Sequence, residues 1–111
     1  MNVSVEKHKD WVILSLDKNF TVTCLAPVRA ELEKIDLLPV PRVGIDLAGV
    51  KNIDSSAIGL LVNFNTRFVK KGGAMAAFNI GNETEFIFAL LNFEQIAKVY
   101  PTRKDFENSI A

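Results

Sequence analysis

Apolar positions along this chain recur with two different periods. Val3 and Val5 alternate with polar residues, and so do Trp11 and Ile13, continued by Leu14 and Leu16. The intervening EKHKD, which holds His8, reads as the turn of a hairpin between two strands. In TVTCLAPVRAELEKIDLL, Leu25, Val28, Leu32 and Ile35 lie three and four apart, the stripe of an amphipathic helix. Pro27 is compatible with that helix only in its first turn, where its missing N–H has no partner to lose. PVPRV breaks the pattern, and RVGIDL follows as a short apolar strand around Val43 to Leu47, with a loop leading to Asp54.

Beyond Asp54 the helical period returns in Ala57, Ile58, Leu61, Val62, Phe68 and Val69, until KKGG stops it. Lys70 and Lys71 sit where the negative end of a helix dipole favours cations, and Gly72 or Gly73 supplies the left-handed terminating residue. AMAAFNI reads as a buried strand. NETEFIFALLNF reads as a helix opened by Asn82, with Glu83 and Glu85 in its first turn, AKVYP as a last short strand, and Lys104 to Ile110 as a closing helix.

Strands that alternate with crossover helices imply right-handed parallel connections, and the opening hairpin adds one antiparallel strand. The expected fold class is α/β: a mixed, mainly parallel sheet of four to five strands with about four helices, one domain over residues 1–111. A chain of 111 residues, 49% hydrophobic and 23% charged, is large enough and apolar enough to bury such a core. No repeat or linker marks a second unit.

Charge narrows the function classes. Thirteen Lys and Arg balance thirteen Asp and Glu, so no global positive field gathers nucleic acid or an anionic membrane surface. No apolar run approaches bilayer length, and MNVSVEKHKDWV lacks the apolar core of a signal peptide; a cytoplasmic protein with no membrane insertion is expected. Cys24 is the single cysteine, read as a buried structural thiol. No metal or cofactor is expected.

The chemistry concentrates in VKNIDSSAIGLL. Asp54, Ser55 and Ser56 are residue types that cap helices through a side-chain oxygen, so they read either as a cap and nothing more or as the presentation of a hydroxyl. With Asp54 or Ser55 as the cap, Ser56 falls in the first helical turn, at the carboxyl end of the preceding strand, where α/β sheets usually receive ligands and partners. A phosphate there would meet free amides and the positive end of the dipole, yet would add up to about two negative charges beside Asp54. Catalysis is not expected. His8 is the only histidine and no glycine elbow flanks the serine, while KKGG is too short to cradle phosphate. Asp46 and Asp54 flank one strand-loop connection and could share a site.

The stretch VGIDLAGVKNIDSSAIGLLVNFNTRFVKKGGAMAAFNI resembles the signature of the STAS domain, in its strand, DLAGV, IDSSAIGLL, helix, glycine pair and strand ending near Asn79. More narrowly it is similar to the bacterial anti-sigma factor antagonists, strongly from Val43 to Ile80 and more weakly through LLNFEQIAKVYPT. That resemblance implies that Ser56 is phosphorylated by a serine kinase that is also an anti-sigma factor. It further implies that Asp54, Ser55, Ala57 and Thr21 belong to the partner surface, and that a phosphatase resets the switch. The unmodified form would bind the anti-sigma factor, and the modified form would not. The chain departs from the family at Ala57, where glycine is usual, and at LDKNFTVT, where Lys18 and Thr21 stand in a loop that tends to carry glycine and aspartate. Asn92 likewise replaces a frequent glycine.

In EFIFALL, Phe86, Ile87, Phe88, Leu90 and Leu91 cover nearly every direction of a helix and cannot all face one core. Either the helix is gripped on several sides, or Phe86 and Leu91 form a self-association surface that would make a homodimer. An alternative function is a STAS scaffold subunit of a larger lipid-transport or sensory assembly, in which the serines only cap. Nucleotide binding beside Asp54 is a third reading, with no phosphate-binding signature behind it.

Overall fold

The computed structural model describes residues 3–81 and 97–110. Among them five strands form one sheet in the order β1-β2-β3-β4-β5: β1 Val3–His8, β2 Trp11–Phe20, β3 Arg42–Ile53, β4 Ala74–Phe78 and β5 Lys98–Tyr100. β1 and β2 are antiparallel, and every later pairing is parallel. Three α-helices accompany them, α1 Leu25–Asp36, α2 Ser55–Lys70 and α3 Arg103–Ser109, with a single 3-10 turn at Val22–Cys24 ahead of α1. The expected helix over NETEFIFALLNF, including Phe86 and Leu91, and Asn92 after it lie outside the described residues.

Helices on both faces explain why the central strands carry adjacent buried residues instead of a clean alternation. On one face Leu14, Leu16, Val43, Ile45, Leu47, Met75 and Ala77 meet Val28, Leu32 and Ile35 of α1 and Ala57, Leu61, Phe64 and Phe68 of α2. On the other, Ile13, Ala76 and Phe78 pack against Phe106 of α3. Gly44 makes room for this second layer, since a Cβ there would meet Ile13 at 2.8 Å and the Phe78 and Phe106 rings at 3.2 Å. Phe106 stacks on Phe78 with centroids 5.0 Å apart and meets Trp11 edge-on at 5.1 Å.

Pro27 occupies the first turn of α1, as its chemistry requires. At the end of α2, Gly72 adopts φ +79, and Gly73 passes so close to the chain that an added Cβ would lie 1.8 Å from the Pro41 carbonyl oxygen. The glycine pair therefore both terminates the helix and lets β4 start against Pro41, whose carbonyl accepts from Ala74 N–H at 3.0 Å. Asp36 at the end of α1 holds Lys71 at 3.0 Å and Arg67 at 3.6 Å, joining the two helix ends.

Several expectations are corrected. His8 is the last residue of β1, paired with Trp11, and the turn is only Lys9 and Asp10. The segment LDKNF is strand, not loop, and the strand expected to end near Leu47 runs to Ile53. Register shifts between Ser15 and Asp17 and between Lys18 and Asn19 carry both strands onward. Such irregularities change the phase of inward-facing residues, which is why Leu47, Val50 and Ile53 recur by threes and do not read as strand. Cys24 is half-buried, its Sγ 3.6 Å from Thr23 Oγ1, because it sits at the entry of α1 and not under it.

Candidate functional site

The site is assembled by the extension of β2 and β3. Their last register partners are Phe20 and Ile53, both buried, so the residues that leave the sheet next, Thr21 and Val22 on one side and Asp54 and Ser55 on the other, emerge side by side. Because β2 and β3 are parallel, this is the carboxyl edge of the sheet, where chain ends turn away and leave surface for a partner.

Asp54 organises the edge. Its extended backbone (φ −123, ψ 177) makes it the N-cap of α2, and its carboxylate oxygen Oδ1 accepts from Ala57 N–H at 2.9 Å. The other oxygen accepts from Val22 N–H, also at 2.9 Å. One side chain therefore caps a helix and fixes the 3-10 turn of a neighbouring connection. A cap of this kind contributes about 1 kcal/mol. Ser55 was an alternative cap in the sequence; it is instead the first helical residue, and its side chain is exposed.

Ser56 is the second residue of α2, exposed, and its hydroxyl has no hydrogen-bond partner among the described residues. The first turn of α2 carries no acidic side chain, so the positive end of the dipole faces solvent with only Asp54 opposite it. Ala57 is fully buried beneath the serines and gives this edge its N–H, not its methyl group. Thr21 is half-buried, its hydroxyl 3.3 Å from that of Thr23, and its carbonyl accepts from Cys24 N–H at 2.8 Å. The structure thus brings Thr21, Asp54, Ser55 and Ser56 to one edge.

Val22 was not singled out in the sequence. It is 62% exposed at the centre of this edge, an apolar side chain held out by its own N–H bond to Asp54. Nothing in the TVTC pattern alone signals this, because the bond that fixes it comes from 32 positions later in the chain.

Asp46 does not share the site. It lies within β3, where Ala48 N–H at 3.0 Å, Asn79 Nδ2 at 3.0 Å and Ser15 Oγ at 3.4 Å donate to it. Asn79, at φ +60, in turn accepts from Arg103 N–H at 3.2 Å, so this network ties the end of β4 to the start of α3. His8 lies at the other end of the sheet, about 30 Å away by the length of β2, with its Nε2 3.5 Å from Glu107. It is no base for Ser56. Among the described residues no group of three or more His, Cys, Asp or Glu is arranged to hold a metal, and no helix is long and apolar enough to cross a membrane.

The fold is shared with known proteins. The chain belongs to the STAS domain family, which it matches over residues 2–106. A Thermotoga maritima protein with a provisional assignment as an anti-sigma factor antagonist is 30% identical over 61 residues, 55% of this chain; the match spans about half of that protein's length, 54%. A crystal structure of an anti-sigma factor antagonist from Thermotoga maritima, likewise provisionally assigned, superposes with a TM-score of 0.87 at 21% identity, covering 96% of this chain and 92% of the other. The phosphorylated form of the Bacillus cell fate determinant SpoIIAA superposes with a TM-score of 0.76 at 13% identity, covering 99% of this chain and 100% of the other. At such identities the two superpositions establish the shared fold.

Proposed function

We propose that this chain is an anti-sigma factor antagonist that binds an anti-sigma factor kinase through the Thr21–Ser56 edge and is switched off by phosphorylation of Ser56. The observation that carries this reading is the placement of Ser56: exposed, unbonded, and in the first turn of a helix whose cap also holds the adjoining turn. A kinase can reach such a hydroxyl without unfolding anything.

The physical effect of modification follows from charge. A phosphoserine carries about −1.5 to −2 at pH 7. Its oxygens are tolerated by the helix terminus, so the fold survives. A partner that covers Val22, Ser55 and Ser56 would have to strip water from a dianion beside Asp54, which is costly when no cation pairs with it. The unmodified edge, with one exposed apolar side chain and two small hydroxyls, has no such penalty. The chain is then substrate and binder, and a phosphatase restores the binding form. Membership of the family and the provisional assignment of the Thermotoga maritima relative support the antagonist role.

The test uses the full chain with ATP and a candidate anti-sigma factor kinase from the same organism. A mass increase of one phosphate on the peptide containing Ser56, with Ser56→Asp weakening kinase binding at least tenfold, is the expected result. Absence of phosphate together with unchanged binding by Ser56→Asp would overturn the switch and leave the scaffold reading, in which the serines serve α2 alone.

A further inference from the structure

At the opposite end of the parallel strands from Ser56, a cavity of about 240 Å³ opens between α3 and the sheet. Its floor is Ala74 and Ala76 at the start of β4, and its walls include Trp11, Tyr100 and Phe106. Ala74 and Ala76 are small residues of this lining, while Phe106 of α3 meets Trp11 of β2 at 5.1 Å and Tyr100 of β5 at 5.9 Å. A cavity of roughly 150 Å³ suffices for benzene, and pockets for drug-sized ligands begin at about 300 Å³. This one therefore suits a single ring with a small substituent.

The polar groups around it are donors. Lys98 lines the cavity from the edge strand and pairs with no acid among the described residues, and the Tyr100 hydroxyl has no hydrogen-bond partner among them. Arg42 is the register partner of Ala74 and falls on the same face of the sheet as Gly44, the α3 side; it is half-buried and likewise unpaired among the described residues. The two acids of α3 are engaged elsewhere: Glu107 pairs with Arg103 at 3.3 Å and with His8 at 3.5 Å, and Asp105 accepts from the Thr102 hydroxyl at 3.0 Å. An aromatic chamber lined by Lys98, with Arg42 beside Ala74 on the same face of the sheet, is complementary to a flat body with one negative end.

We propose that this cavity is a binding site for a small aromatic carboxylate, its ring among Trp11, Tyr100 and Phe106 and its carboxylate toward Lys98 and Arg42. The site is remote from Ser56 and independent of any switch there.

Trp11 is the only tryptophan of the chain, so its fluorescence reports the cavity directly. The full chain is titrated with benzoate, and in parallel with benzyl alcohol, at constant ionic strength, while Trp11 emission and backbone amide shifts are followed. Benzoate is expected to give a saturable change with a midpoint below about 10 mM, in keeping with its few heavy atoms, with shifts centred on Ala76, Lys98 and Tyr100. Benzyl alcohol is expected to bind at least several-fold more weakly. Removing either charge, Lys98→Gln or Arg42→Gln, is expected to weaken benzoate about threefold. Lys98 is exposed, Arg42 is half-buried, and neither is ion-paired among the described residues, so these variants are expected to fold. A linear, non-saturating response to benzoate, equal affinity for benzyl alcohol, or unchanged benzoate affinity in the double variant would each overturn the proposal.

Discussion

The backbone N–H of Val22 donates to Oδ2 of Asp54 at 2.9 Å while Oδ1 of the same carboxylate accepts from Ala57 N–H. The start of α2 and the turn before α1 are thus held by one side chain. Asp54→Asn keeps an oxygen for Ala57 but turns an amide toward Val22 N–H, and is expected to cost about 1 kcal/mol. Asp54→Ala removes both acceptors and should cost about 1–3 kcal/mol. Ser56→Ala, at an exposed and unbonded side chain, should stay within about 0.5 kcal/mol. Urea denaturation of the three variants checks the order, and amide exchange at Val22 should accelerate in both Asp54 variants but not in Ser56→Ala.

Two glycines should respond to alanine in opposite directions. At Gly73 the new Cβ would fall 1.8 Å from Pro41 O and 3.0 Å from Phe68 O, so the junction of α2 with β4 must shift. A loss of about 2 kcal/mol or more is expected, in the range of backbone-strain variants. Gly59 lies exposed inside α2 with nothing within 4 Å of an added Cβ. Gly59→Ala should stabilise by about 0.5–1 kcal/mol, chiefly by restricting the unfolded chain. Thermal melting of the pair distinguishes the two signs.

The edge hairpin is fastened to α3 by charge. Arg103 forms a forked pair with Glu6, its Nη1 3.1 Å from Oε1, and its Nε lies 3.3 Å from Glu107. The hydrogen bonds from Arg103 hold the Glu6 carboxyl below its ordinary value of 4.5. A carboxyl with a depressed folded-state pKa contributes stability that is complete above the unfolded value and is lost as pH falls through the folded one. Glu6→Gln should therefore be less stable than the parent at neutral pH, and the difference should vanish as pH drops below 4.5. Denaturation midpoints at neutral pH and at successively lower acid pH check this; because Glu6 is solvent-exposed, the difference should also shrink with added salt.

Much of the fold is legible from local pattern. The stripe Leu25, Val28, Leu32 and Ile35, the position of Pro27 and the stop at KKGG each depend on residues within a few positions of one another, and α1 and α2 follow from them. Where the signal is not local the reading fails. The continuations of β2 and β3 carry Asp17, Asn19, Lys51 and Asn52, and their bulges break the alternation, so only pairing between segments more than 30 positions apart makes them strands.

The same division holds at the candidate site. The residue types DSSA, with acid before hydroxyl before a buried small residue, determine that a helix begins there and that a serine stands in its first turn, because capping is a contact over three positions. That the acid at Asp54 also grips Val22, that Thr21 emerges beside it, and that Val22 is left exposed between them were decided by the Phe20–Ile53 pairing at the end of two parallel strands. Hydrogen bonds along a helix are set by neighbours in sequence, whereas the edge of a sheet is set by which distant strands lie together and where each one stops.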